Sequence, residues 1–357
     1  MAKEAIKNTN YHQQLKVDYT LKLRDILKTL PDFTKDYFRA IEPKSSVKTR
    51  ISYAYDIRVF LNYLVESNPV YRGKTIREIK VYDLEKLTTL DIEEYQEYLK
   101  VYESEGKQIT NTEKGLARKI SSLRSFYQYY YKREAISYNP TLLIETPKIH
   151  EKAIIRLEID EVVELLDYVE NCGDVLEGQA KLYYEKTKLR DIAILTLLLG
   201  TGIRVSECVG LDILDVDFKN NGIKVTRKGG NEMIVYFGNE VEHALKNYMY
   251  NDRNMVIPIA SHDQALFLST QRRRMGVQAV ENMVKKYSKQ VTPGKKITPH
   301  KLRSTYGTNL YRETGDIYLV ADVLGHKDVN TTKKHYAAID ESRRRNAATA
   351  VTLREKK

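Results

Sequence analysis

Chain-breaking residues are scarce in this sequence. Only 17 glycines and 8 prolines are spread over 357 residues, about 7% of the chain where average usage is about 12%. That scarcity argues for a mostly helical protein and excludes collagen-like, linker-rich and disordered classes. The length favours two domains. With 42% hydrophobic residues, the chain can build a core and remain soluble. Its longest apolar stretch, Ile192 to Leu199, is bounded by Arg190, Asp191 and Arg204 and falls far short of the roughly 18 residues a membrane span needs. It is expected to be a buried helix. The opening MAKEAIKNTNYHQQ has no apolar signal region, so neither secretion nor membrane insertion is expected. Cys172 and Cys208 are the two cysteines, too few for a disulfide framework or a structural zinc cluster, and they suit a reducing cytoplasm.

Charge narrows the partner. Lys and Arg total 59 against 48 acids, a net charge of +11, which points to a polyanion. Ribosomal, regulatory, repair and recombination proteins all fit that balance. The sequence also holds 27 tyrosines and no tryptophan, so a functional role for any one tyrosine needs local support.

Along the chain, residues 1–43 contain a basic amphipathic stretch in which Leu23, Ile26, Leu27 and Leu30 follow helical spacing. It is too short to be a domain. Ser45 and Ser46 can cap a long helix from Val47 to about Glu66, with Ile51, Ala54, Ile57, Leu61 and Leu64 on its inner stripe and Lys48, Arg50 and Arg58 off it. A shorter segment is expected over Asp91 to Tyr102. A further helix is expected over Lys114 to Arg133, with Leu116, Ile120, Leu123, Tyr127 and Tyr130 inward and Arg118, Lys119, Arg124 and Lys132 projecting elsewhere. Asn139-Pro140 closes this module, and an extended linker follows because Pro147 disfavours helix before it.

The second half opens with helices over Glu158 to Cys172 and Leu189 to Leu199. Past Gly210 the period changes to alternation. Val216 to Phe218, Ile223 to Thr226 and Met233 to Phe237 are joined by turn residues at Asn220-Asn221-Gly222 and Gly229-Gly230, the pattern of a small antiparallel meander. Helices resume at Glu240 to Tyr250, Val277 to Ser288, Pro299 to Arg312, Ile317 to Val323 and beyond Ser342.

Five local clusters in this half each have an ordinary explanation. Arg204 and Glu207 are a pair three apart after a glycine turn, and Lys228 is a lysine at a hairpin tip. His300 and Arg303 share a helix face, Leu324-Gly325-His326 is a helix end, and Tyr336 is one tyrosine of many. Their order and spacing say more. Thr201-Gly-Ile-Arg-Val-Ser-Glu207, a hairpin lysine, His300-Lys-Leu-Arg303, Leu324-Gly-His326 and a tyrosine ten residues later together resemble the tyrosine recombinase (phage integrase) family. TRISYAYDIRVFLNYL and ARKISSLRSFYQYYYKREAISYNP are similar to the core-binding domain of its Xer-type members.

The resemblance implies a mainly α (α+β) fold of the tyrosine recombinase type. A helical extension would occupy residues 1–43, a SAM-like DNA-binding domain 44–145, a mostly helical catalytic domain with a β-meander 155–345, and a tail 346–357. It also implies that Tyr336 is the nucleophile, forming a 3′-phosphotyrosyl link to DNA. Attack on a phosphodiester passes through a pentacoordinate phosphorus bearing extra negative charge. No Asp/Glu cluster is spaced for a two-metal site, so cationic side chains must take that role without metal or other cofactor. Arg204 and Arg303 suit the non-bridging oxygens because a planar guanidinium binds two at once, and Glu207 would fix the Arg204 guanidinium. His300 is the candidate base for a phenol of pKa near 10, His326 a hydrogen-bond donor to the phosphoryl group, and Lys228 the acid for the departing 5′-hydroxyl. Exchange of one ester for another needs no ATP, and no GxxxxGK[ST] motif occurs.

Lys48, Arg50, Arg118, Lys119 and Arg124 are candidate DNA contacts of the first domain. The expected partners are a duplex recombination site, a homotetramer on synapsed DNA, and an accessory or cell-division protein, in a cytoplasmic, nucleoid-associated setting. Two roles fit this chemistry: Xer-like chromosome dimer resolution, slightly favoured, and integration or excision of a mobile element. A type IB topoisomerase, of similar chemistry, is one alternative, and a non-catalytic DNA-binding regulator is the alternative from another class.

Overall fold

The computed structural model describes residues 11–104, 106–148, 150, 155–227, 229–325 and 329. The chain divides into two compact units, residues 1–152 and 153–357.

The first unit runs α1 (Tyr11–Lys28), α2 (Thr34–Ala40), α3 (Val47–Ser67), α4 (Val81–Glu85), α5 (Thr89–Tyr98), a hairpin of β1 (Val101–Ser104) and β2 (Lys107–Thr110), and α6 (Glu113–Lys132). Ser46 starts α3 by accepting the Thr49 amide at 3.1 Å, satisfying one of the donors that a helix start leaves without a partner. The expected stripes of α3 and α6 are both buried, and they pack in one core. Leu23 and Ile26 of α1, followed by Leu30, Tyr37 and Phe38, lie in that same core. The leading stretch is therefore part of the unit's interior rather than an appendage. An aromatic cluster closes it: Tyr37 meets Phe126 edge-on, and the Tyr130 hydroxyl donates to the Phe33 carbonyl at 2.7 Å.

The hairpin departs from the sequence expectation, which carried one segment from Asp91 to Tyr102. Helix α5 stops at Tyr98, and β1 then pairs with β2 so that Tyr102 faces Ile109. Gly106 at φ +71 serves the tight connection. Tyr102 stacks on Tyr98 at 5.3 Å, so the aromatic that reads as a continuation of the helix is instead placed by the strand.

A second departure concerns charge. Asp56 of α3 is buried and receives both Arg118 and Lys119 from α6, the latter at 3.3 Å. Burial raises the Asp56 pKa against the pull of Lys119 and Arg118. Replacing Asp56 with Ala leaves a buried ammonium without its carboxylate. We expect a loss of about 3–5 kcal/mol in urea unfolding, with far less for the double variant Asp56→Ala/Lys119→Met.

The second unit runs α7 (Ile159–Asn171), α8 (Gly178–Thr201), α9 (Val205–Cys208), strands β3 (Val216–Asp217), β4 (Gly222–Thr226) and β5 (Glu232–Tyr236), then α10 (Asn239–Asn251), α11 (Val277–Val291), α12 (Pro299–Thr314) and α13 (Ile317–Leu324). Helix α8 is its axis, contacting α7, α10 and α12. Ala193, Ile194, Leu195, Leu197 and Leu198 are all fully buried, as the apolar stretch led us to expect. The helix begins eleven residues earlier than its apolar pattern, because its first turns are solvated by Lys181, Glu185 and Lys186 and bury mainly Tyr184. The expected meander is present in the order β3-β4-β5, antiparallel, with Ile223 opposite Val235 and Val225 opposite Met233. Segments beyond residue 329, including the helix expected after Ser342, lie outside the described residues.

Candidate functional site

The site is built where four chain segments end. Helix α8 stops at Gly202, whose φ of +62 reverses the chain. A Cβ at this position would overlap the Tyr306 ring of α12, so glycine meets both a backbone and a packing demand. Two residues on, Arg204 occupies the N-cap of α9, and Glu207 in the first turn ties it down. The buried Glu207 carboxylate accepts the Arg204 amide at 2.8 Å and its Nη1 at 2.7 Å. The pair three apart is thus a lock on the guanidinium, which leaves the side chain 35% exposed.

Arg303 enters from α12 and is buried. Its Nη1 donates to the Gly202 carbonyl at 2.6 Å, and its Nη2 to the Leu324 carbonyl. Helix α13 ends at Gly325, again in the left-handed region at φ +61. The carbonyls of its last turn lack partners within the helix and carry its negative dipole end. Three arginines take them in succession. Arg227 Nη2 donates to the Val323 carbonyl at 2.7 Å, Arg303 to that of Leu324, and Arg204 Nη2 to that of Gly325 at 3.4 Å. Burial and the neighbouring Arg204 hold the Arg227 pKa below the usual arginine range, opposed by Glu207. Three guanidiniums at one helix end, one of them locked by the buried Glu207 carboxylate, form a cationic cluster suited to an oxyanion.

Of the sequence-derived set, the structure brings Arg204, Glu207 and Arg303 together. His300 lies one turn before Arg303 on α12 and is exposed. Lys228, His326 and Tyr336 lie outside the described residues. They are chain neighbours of the cluster in two cases: Lys228 follows Arg227, and His326 follows Gly325. Among the described residues no group of His, Cys, Asp and Glu could hold a metal ion. Cys208 is buried next to this lock, and burial pushes its thiol up, well outside the reactive range.

In the first unit, three of the five candidate DNA contacts have partners within the unit. Lys119 is buried on Asp56. Arg50 is 10% exposed and paired with Glu42 at 3.0 Å. Arg124 donates to the carbonyls of Thr141 and Ile144, bracing the turn after α6. All three are spent inside the unit, because a helix face that packs against its neighbours buries the charges at its margin. Lys48 remains exposed, 4.7 Å over the Tyr19 ring. Arg118 is 47% exposed despite its bond to Asp56. It lines a groove with Ser52, Tyr55, Arg58, Lys107 and Gln108.

Sequence reasoning missed Arg227. The available signal was a second cation directly before Lys228 and two glycines, at a strand end with no apolar requirement.

Comparison with known proteins gives the same class. The model of the phage integrase family matches residues 156–343, and that of the phage integrase N-terminal SAM-like domain matches residues 34–134. The chain belongs to the phage integrase family, the tyrosine recombinases, and it is Xer-like. It is 33% identical over 346 residues to tyrosine recombinase XerS of Streptococcus thermophilus (strain CNRZ 1066), covering 90% of this chain and 96% of that one. To tyrosine recombinase XerC of Caldanaerobacter subterraneus subsp. tengcongensis it is 32% identical over 322 residues, covering 87% and 83%. In fold it is similar to the XerH site-specific recombinase in a post-cleavage complex with palindromic difH substrate. The TM-score is 0.64 at 18% identity, with 96% of this chain and 90% of that one covered. The mostly helical two-part architecture with a small antiparallel sheet is that of the tyrosine recombinases.

The tight fit at Gly202 is testable. Gly202→Ala is expected to cost about 2–4 kcal/mol, from a disfavoured φ and the overlap with Tyr306. Urea unfolding reads this directly, and an unchanged midpoint would contradict the described fit.

Proposed function

We propose that this recombinase cuts and rejoins duplex DNA through a covalent link between the Tyr336 phenol and a 3′-phosphate. The observation that carries the reading is the convergence of Arg204 and Arg303 on the end of α13, immediately before His326. A phosphodiester entering there meets two planar donors already oriented by Glu207 and by backbone carbonyls. They stabilise the charge that develops on the non-bridging oxygens without reorganising first.

In the first step the Tyr336 oxygen bonds to phosphorus and the bond to the 5′-oxygen breaks. His300 receives the phenolic proton, Lys228 supplies one to the leaving oxygen, and His326 donates to the phosphoryl group. The exposed place of His300 on the same helix as Arg303 is compatible with that role. One ester replaces another, so the step runs without ATP, and the guanidiniums supply the charge neutralisation that a metal supplies elsewhere. Reversal with an exchanged 5′-hydroxyl rejoins strands, and two rounds in a synapsed homotetramer pass through a Holliday junction. The groove lined by Arg58, Lys107 and Arg118 provides cationic contacts for the DNA backbone in the first unit. Similarity to Xer recombinases along nearly the whole chain supports chromosome dimer resolution in the nucleoid over mobile-element integration. The domain limits proposed are 44–145 for DNA binding and 155–345 for catalysis.

The test is covalent trapping on nicked suicide duplexes, selected by the wild-type protein from a random-sequence pool. Wild type should accumulate a protein–DNA adduct and Tyr336→Phe none. Arg204→Ala and Arg303→Ala should each slow trapping by about 10²–10³-fold. Equal trapping by Tyr336→Phe removes Tyr336 as nucleophile. Sequence-specific binding without any adduct favours a regulator, and efficient relaxation of a plasmid lacking the selected site favours a topoisomerase.

A further inference from the structure

Arg227 belongs to the cationic cluster, yet it has no part in the chemistry above. It sits at the end of β4, where its amide donates to the Asn231 carbonyl at 2.8 Å and its carbonyl accepts from the Gly230 amide at 3.0 Å. This closes the hairpin tip. Gly229 and Gly230 follow at φ +101 and +87, and a Cβ on either would meet nothing within 4 Å among the described residues. Gly229 and Gly230 are both exposed. Among the described residues 227–231, Arg227 alone has a side chain hydrogen-bonded to another element.

That side chain crosses to α13. Nη2 holds the Val323 carbonyl at 2.7 Å, and Nη1 lies where any Cβ on Gly325 would stand. The glycine at the helix end thus does two things: it reverses the chain at φ +61 and leaves room for the guanidinium. The placement is costly. Nε is buried with no hydrogen-bond partner among the described residues, and the group lies beside another guanidinium, that of Arg204. A solvated arginine at a hairpin end would avoid both costs, so the contact with α13 is what this residue is placed to make.

We infer that Arg227 is a positioning residue for strand cleavage: it ties the β4–β5 hairpin to the end of α13 and so fixes the point from which Lys228 delivers its proton to the leaving 5′-oxygen. The inference rests on the proposed role of Lys228. It assigns Arg227 no direct contact with the phosphate. The cation cluster then has two divisions, Arg204 and Arg303 facing the substrate and Arg227 aligning the acid.

The experiment compares wild type with Arg227→Ala on the selected suicide duplex and on the same duplex with sulfur replacing the bridging 5′-oxygen at the cleavage point. A thiolate leaves without a proton. Arg227→Ala should trap the oxygen duplex about 10²-fold more slowly than wild type and the sulfur duplex at the wild-type rate. Equal trapping of the oxygen duplex by both proteins overturns the inference. An equal deficit on both duplexes also overturns it, since that marks a phosphate contact or general damage. Hydrogen exchange without DNA supplies a second arm. Arg227→Ala should accelerate exchange in residues 222–236 and 320–325 and leave the α8 amides unchanged; no local change, or acceleration throughout the unit, counts against the tie. Failure of the wild type to trap either duplex refutes the recombinase chemistry instead, and the exchange arm still decides whether Arg227 anchors the hairpin.

Discussion

The last carbonyls of a helix must find donors, and in α13 those donors are arginines from three distant stretches of sequence. Arg227 arrives from the end of a strand, Arg204 from the start of a short helix and Arg303 from the second turn of a longer one. Each guanidinium loses freedom and solvent by coming inward, and each recovers hydrogen bonds to an oriented, electron-rich backbone end. Mutual repulsion among the three is tempered by Glu207, itself buried and bonded to Arg204. Charge that would be unfavourable in an empty interior is thereby kept in place and aimed before any substrate arrives.

The rest of the second unit exists to bring those ends together. Helix α8 is buried over its last three turns, so its terminus at Gly202 has little freedom to move. Arg303 spans from that terminus to the end of α13, and Tyr306 from the same helix fills the space above Gly202. A second buried ionic group, Arg190 with Asp191 and the Tyr287 hydroxyl, pins the middle of α8 to α11. Core packing and site geometry are consequently one problem. The apolar residues that bury α8 are the ones that fix where the arginines can reach.

Much of this was legible in the sequence, and for physical reasons. The stripe from Ile51 to Leu64 and the run from Ile192 to Leu199 carry hydrophobic periodicity that nothing in the fold overrides. The meander was marked by Asn221-Gly222 and the paired glycines, whose positive φ values the turns use. The order of Arg204, Glu207, His300 and Arg303 announced the site because each motif sits at a chain reversal or a helix face. Other features were hidden. The β1–β2 hairpin is four residues per strand and follows α5 without a proline, so helical reading ran through it. Lys119, Arg50 and Arg124 read as solvated charges because periodicity reports side-chain direction and not the presence of Asp56, Glu42 or a carbonyl at the other end. The role of Arg227 was missed for the same reason: its partner is a backbone oxygen nearly a hundred residues away.

Arg303 bridges two helix ends and is also a candidate phosphate-binding group, so a structural role and a proposed chemical one fall on a single side chain. A genetic screen that scores only loss of recombination would count its variants as inactive without revealing whether the enzyme lost its chemistry or its shape. Substitution at this position removes two backbone bonds at once, whereas Arg204 is held by one carboxylate and one carbonyl on a part-exposed arm. Two residues of the same type in one cluster therefore differ in how much of the scaffold depends on them, and the difference is set by how many backbone oxygens each must satisfy.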